Sequence, residues 1–222
     1  MKSERDLFLS NAPLYNSRII KTYVQLARKK YPHINISEIL ADAGITLYEV
    51  EDQGHWFTSN QIDDFYQKLV KATGNRHLAR DAGRYASVPE SIGAIRYYVH
   101  SFASPGRFYE MVGKAFAGFT RAADFQSRRL GSSKVEITVE PRPGIDEKQY
   151  HCENRKGFFE AVLNIFNNRM VHIEHPECMF EGGKVCRYII SWNKSAGDYF
   201  RKIRNYVLAI FLITGVLSLL YL

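Results

Sequence analysis

Residues 172–192 read HIEHPECMFEGGKVCRYIISW and hold two of the three cysteines in a chain of 222 residues. Cys178 and Cys186 stand four residues either side of Gly182. In a hairpin turning at Glu181-Gly182-Gly183 they face one another across two antiparallel strands. Side-chain alternation along a regular strand puts Glu174 on the Cys178 face, whereas His175 turns inward only through a bulge. Pro176 favours that bulge, because it has no N–H for the ladder.

Working outward, KVEITVE at 134–140 alternates Val135, Ile137 and Val139 with polar residues, the pattern of a half-buried strand. Between it and the hairpin, a loop at 141–146 leads past Cys152 into a helix bearing Phe158, Phe159, Val162, Leu163 and Phe166. Upstream, a helix near 90–102 precedes Ser104-Pro105-Gly106. A longer helix follows, with Phe108, Val112, Ala115, Phe116 and Phe119 at helical spacing. Residues 14–87 read mainly as helices. Ile19, Ile20, Tyr23, Val24 and Ala27 share one face, Ser37 caps a short helix ended by Gly44, and Ser59 caps another stopped at Gly74. The fold class is α+β: a helical N-terminal region over 1–87, then a ligand-binding domain over 88–193 with an antiparallel sheet packed by helices.

Thirty Lys+Arg against 23 Asp+Glu give a net charge of +7, which admits nucleic acid or an anionic membrane as partner. The opening MKSERDLFLSNAPLY is charged and holds a proline, unlike a secretory signal. Residues 206–222, YVLAIFLITGVLSLLYL, carry no charge over 17 positions, the short limit of a transmembrane helix. Arg201, Lys202 and Arg204 precede it, so the positive-inside bias keeps residues 1–205 on the cytoplasmic side of a bacterial inner membrane. Residues 194–205 form a juxtamembrane helix, and the chain is either tail-anchored or continued by an output domain.

A reducing cytoplasm argues against a disulfide between the facing cysteines. With Cys152 they begin a tetrahedral zinc site instead, whose fourth ligand is His175, Glu174 or Glu177 in that order. Nucleic acid is not expected. Residues 36–52 have something like helix-turn-helix spacing, but Glu49, Glu51 and Asp52 would be repelled by phosphates. No enzyme is expected either, for there is no P-loop, G-x-S-x-G or H-E-x-x-H.

The run from Cys152 through GFFEAVLNIF to EHPECMFEGGKVCRYIISW resembles the 4-vinyl reductase domain, a small-molecule-binding module in the sensory regions of phenol- and toluene-responsive bacterial regulators. In that family three cysteines at these intervals, with an acidic residue three positions before the second, hold zinc; here His175 stands at the acidic position. Residues 39–75 are similar, more loosely, to the ligand-sensing region of AraC-type regulators. The resemblance implies a structural zinc on Cys152, Cys178, Cys186 and His175 or Glu174. It also implies a small apolar or aromatic ligand among Phe108, Val112, Phe116, Phe119, Phe159 and Leu163, with Tyr97, Tyr98 or His100 as polar anchor. The expected function is a membrane-anchored sensor, suited to homodimerisation, whose hairpin relays binding through 195–205. The alternatives are a haem-based gas sensor, since the haem-NO-binding domain is a distant structural cousin and His100 sits on a helix, and a DNA-binding regulator.

Overall fold

The structure is a computed structural model, and it describes residues 11–88, 104–166, 171–193, 203–208, 210, 211, 213 and 214. The helix expected near 90–102, with Tyr97, Tyr98 and His100, lies outside the described residues.

Two cores divide the chain. The first begins with β1 (Pro13–Asn16), antiparallel to β2 (Trp56–Thr58). Asn16 ends β1 and starts α1 (Ser17–Lys30): its side chain accepts from Arg18 N–H and donates to the carbonyls of Gln53 and His55. Ile20, Tyr23, Val24 and Ala27 make the buried stripe of α1, as the spacing predicts. The short α2 (Ile36–Asp42) is capped by Asn35 rather than Ser37, and Gly44 takes a left-handed turn at φ 64°. Then come α3 (Leu47–Glu51) and α4 (Ser59–Thr73). Thr58, not Ser59, caps α4 in a reciprocal box with Gln61, and left-handed Gly74 ends it. Finally α5 (Leu78–Tyr85) runs back towards the second core.

The single long helix expected around Phe108 is two short ones, α6 (Pro105–Glu110) and α7 (Val112–Phe116), parted at Met111. A four-stranded antiparallel sheet follows, in the order β3 (Ala123–Gly131), β4 (Lys134–Pro141), β6 (Cys186–Trp192), β5 (Val171–Glu177). Helix α8 (Gln149–Ile165) connects β4 to β5. Cys152 lies in its first turn, not in the loop before it. Val139 pairs with Cys186, Ile137 with Tyr188 and Val135 with Ile190, so one sheet face is buried from end to end against Phe108, Val112, Phe159 and Leu163.

Helices α5 and α8 close the seam between the cores. A Cβ on Gly157 would lie 2.0 Å from the Arg80 carbonyl oxygen, and one on Gly83 would lie 2.2 Å from that of Asn154. Only glycine allows the two backbones this approach. Arg80 and Arg84 both reach Glu160 across the joint.

The α+β class with an antiparallel sheet is observed. A transmembrane helix is not: among the described residues no helix is long and apolar enough to cross a membrane. The described residues within 203–214 are helical and expose Ile203, Tyr206, Val207, Leu208, Ile210, Phe211 and Ile213, while 215–222 lie outside.

Candidate functional site

Two features stand out within the second core and at its border with the first: a sulfur cluster and a small cavity. They share α8.

The hairpin register slips between Glu174 and Glu177, a bulge at His175-Pro176. With Glu177 opposite Arg187, the next step brings Cys178 beside Cys186, and the bulge turns His175 inward to stack on Tyr188 at 4.3 Å and 6°. A 3₁₀ turn (Met179–Glu181) and Gly182 at φ 92° then reverse the chain. Cys152 reaches up from α8, so the ligand atoms of Cys152, His175, Cys178 and Cys186 lie within 4.8 Å of one another. Among the described residues this is the His, Cys, Asp and Glu group placed to hold a metal ion. Glu174 is not in it and pairs with His172 at 3.3 Å. Glu177 binds Arg187 on the outer side. Cys152 and Cys186 share a hydrogen bond at 3.0 Å. That bond, with the Arg155 cation nearby, holds the Cys152 thiol down at about 6 against burial, and pushes Cys186 up.

The cavity, about 70 Å³, lies between the two cores, walled by β1, α1, α4, α7, β3 and α8. Phe116 and Phe119 line it, as do Phe125 and Phe158, whereas Phe108, Val112, Phe159 and Leu163 are packed solid in the second core. Its polar end is a buried ion pair: Arg155 donates to both oxygens of Glu147, at 3.0 and 2.8 Å, and its Nη2 stands 3.6 Å from Cys152 Sγ. Burial works to raise the Glu147 carboxyl, but Arg155 outweighs it and holds the group below the usual range. Next to the pair, His151 stacks on Tyr15 at 5.0 Å and 6°. Its Nδ1 accepts from Lys148 N–H, so a neutral ring carries its proton on Nε2. Sequence reading passed over Glu147, His151 and Arg155, because nothing in a loop-to-helix stretch signals that its polar residues are buried.

Burial lowers His151 to about 4, with Arg155 adding to the effect and Glu147 opposing it. An unfolded histidine titrates near 6.5. The folded pKa is the lower one, so stability is full above the unfolded value and is lost as pH falls towards 4. In urea unfolding His151 should therefore account for roughly 2–3 kcal/mol of stability lost between pH 7.5 and pH 4.5, and His175, also lowered to about 4 by burial, adds a loss of the same sign. His151→Gln should flatten the dependence, and a profile unchanged by that substitution would show His151 to be solvated.

These elements define an α+β fold, helices on one side and an antiparallel sheet closed by a hairpin on the other. No family model matches the chain, and no curated protein matches it in sequence. Solved structures of similar fold are H-NOX domains. One from Shewanella oneidensis, in the Fe(II) ligation state, has a TM-score of 0.64 at 10% identity, covering 81% of this chain and 97% of its own. An oxygen-binding H-NOX domain related to soluble guanylate cyclases has a TM-score of 0.63 at 13% identity, covering 81% and 95%. Another, from work on haem distortion in the H-NOX family, has 0.60 at 16%, covering 82% and 96%.

The 4-vinyl reductase and AraC-type resemblances are corrected by these neighbours. With them goes the structural zinc: the neighbours are described by haem and iron, and zinc is not supported. Three sulfurs and an imidazole converge as the spacing implies, but convergence follows from the hairpin and α8 and does not name an occupant. The other alternative, DNA reading by 36–52, meets a second helix of only five residues whose Glu49 is engaged in the Thr46 capping box.

The residues present leave little room for a haem. A cavity of 70 Å³ is far below the roughly 300–1,000 Å³ of cofactor sites, and the α5–α8 seam is closed backbone to backbone. His151 offers an N–H rather than a lone pair, His55 meets Glu49 at 3.7 Å, and His175 is in the sulfur cluster. The described residues alone therefore do not fit a haem.

Proposed function

We propose that the chain is the sensory part of a signalling protein, a gas sensor of the haem-based kind its fold neighbours represent, and not an enzyme. The observation carrying this reading is the match to H-NOX domains over four-fifths of the chain and nearly all of theirs. In this reading His100 holds the iron, and Cys152, His175, Cys178 and Cys186 clasp the β5–β6 hairpin to α8. A domain division at 87/88 is part of this proposal, supported by a first core whose buried residues, Ala122 apart, come from 14–85. Attachment to the inner face of a bacterial membrane through 206–222 is part of the same proposal, supported by apolar side chains exposed on the helical residues of 203–214. So is a homodimer.

The test is the visible spectrum of the full chain, purified from bacteria supplied with a haem precursor. An intense Soret band, shifting when carbon monoxide or nitric oxide is added to the reduced protein and lost in His100→Ala, is expected. A colourless protein sinks the haem-based reading.

A further inference from the structure

We infer that the apolar groove between α2 and α3 seats this chain's own residues 7–9, Leu7-Phe8-Leu9, with Phe8 as the anchor. The groove is open and measures about 490 Å³, inside the roughly 300–1,000 Å³ of pockets that hold drug-sized molecules, so it has room for more than one side chain. Leu40, Ala41, Ile45 and Leu47 give it an apolar lining, and left-handed Gly44 stands at the bend between the two helices. Single exposed leucines are ordinary on a protein surface. Here, however, the large apolar side chains exposed among the described residues before 203 are Leu47, Tyr48, Met111 and Leu130. Two of these four are Leu47 in the groove lining, 39% exposed, and its neighbour Tyr48, 82% exposed. Apolar surface gathered at an open groove marks a place that something covers.

The path of the chain supplies the occupant. Pro13 of β1 pairs with Thr58 of β2, so the chain followed backwards comes alongside the first turn of α4, where Asn60 donates to the Asn11 side chain at 3.4 Å. Gln61, the next residue of that turn, donates to the Gly44 carbonyl at 2.9 Å, and Gly44 lines the groove. Residues 1–10 lie outside the described residues, and they join the described chain at this spot. Leu9, Phe8 and Leu7 stand two, three and four residues before Asn11, an extended reach of roughly 7–14 Å. Three consecutive large apolar side chains gain by leaving water, and this groove is the apolar surface beside them. Charge argues against a lipid surface as the occupant. Residues 31–67 hold seven carboxylates and neither Lys nor Arg, and Glu38 and Asp42 stand exposed on α2 beside the lining residues. An anionic membrane is repelled by such a rim. In residues 1–10 Lys2 and Arg5 balance Glu4 and Asp6, so the segment brings no net side-chain charge and the contact is apolar.

The site uses none of the residues assigned to haem, so a colourless protein leaves it standing, and its own failure leaves the gas-sensor reading untouched. The experiment irradiates the full chain carrying Phe8→benzoylphenylalanine, a photoreactive side chain that bonds to whatever C–H lies against it, and digests the product with trypsin. Trypsin releases position 8 on the peptide 6–18 and the whole groove on the peptide 31–68, since no Lys or Arg lies between Lys30 and Lys68. A photoproduct of single-chain mass joining these two peptides, attached at Leu40, Ala41, Ile45 or Leu47, is expected. Leu47→Asp should lower its yield at least tenfold. That substitution suits the fold, because an acidic residue in the first turn of α3 is favoured by the helix dipole. Ala41→Glu, at an exposed position of α2 that lines the groove, should act in the same direction. Leu130→Asp is the control, a leucine 41% exposed on β3, and should leave the yield unchanged. A photoproduct of twice the chain mass makes a second copy the occupant and overturns the assignment. Attachment to other peptides, the absence of any photoproduct, or a yield that Leu47→Asp and Ala41→Glu do not move overturns the groove as the seat.

Discussion

Glu147→Ala is expected to destabilise the protein by about 3–5 kcal/mol in urea unfolding at pH 7, one of the two largest effects of a single substitution in this chain. Glu147 and Arg155 are each 6% exposed, and no other carboxylate is bonded to the guanidinium among the described residues. An intact buried pair adds little net stability, because the attraction between the charges roughly repays their desolvation. Breaking it is another matter. The alanine variant leaves a buried guanidinium in the cavity wall, with Cys152 Sγ at 3.6 Å as its remaining contact. Replacing both partners together, Glu147→Leu with Arg155→Met, removes the charge as well as its counter-charge and should recover most of the loss. If Glu147→Ala costs under 1 kcal/mol, water reaches Arg155 and the polar end of the cavity is open.

That ion pair also shows where sequence reading stops. The hairpin was legible because its signals are local: glycines at the turn, cysteines equidistant from Gly182, and a proline that cannot enter the ladder. Bulge, register and the inward His175 all follow from them. Strand β4 was legible by its alternation. Strand β3 was not, since an edge strand ending Ser127-Arg128-Arg129-Leu130 keeps most side chains in water and has no apolar face to announce it. The aromatic stripe from Phe108 to Phe119 was read as one helix, although Gly106, Gly113 and Gly118 lie in or beside it, and the chain breaks at Met111. The cavity needed the tertiary structure, because its lining comes from six elements spread over residues 15–158. Cysteine spacing misled on ancestry for a physical reason. It encodes a helix clasped to a hairpin, which is geometry any similar fold can use, whereas the fold neighbours share only 10–16% identity with this chain.

Gly157→Ala should cost about 3 kcal/mol or more, even though alanine in a helix gains about 1 kcal/mol over glycine. Neither Gly157 nor Gly83 has a positive φ, so neither is needed for backbone conformation. What they permit is contact. The new methyl group would meet the Arg80 carbonyl oxygen at 2.0 Å, its carbon at 2.9 Å and the Arg84 nitrogen at 2.9 Å, all backbone atoms of α5. A flexible side chain could swing away, but a helix backbone can only move as a body. Relief therefore means parting α5 from α8, which also separates Arg80 and Arg84 from Glu160. Because α8 carries Cys152, His151 and Arg155, strain at this seam falls on the helix that positions both the sulfur cluster and the cavity. Hydrogen exchange should show the effect as lost protection in α5 ahead of the β4–β6 ladder. Gly131→Ala is the control, since its methyl group would meet only Lys134 Cβ at 3.9 Å and should change stability by less than about 0.5 kcal/mol. Equal losses in the two variants would mean that the seam is not the tight joint drawn here, and that the two cores are held together elsewhere.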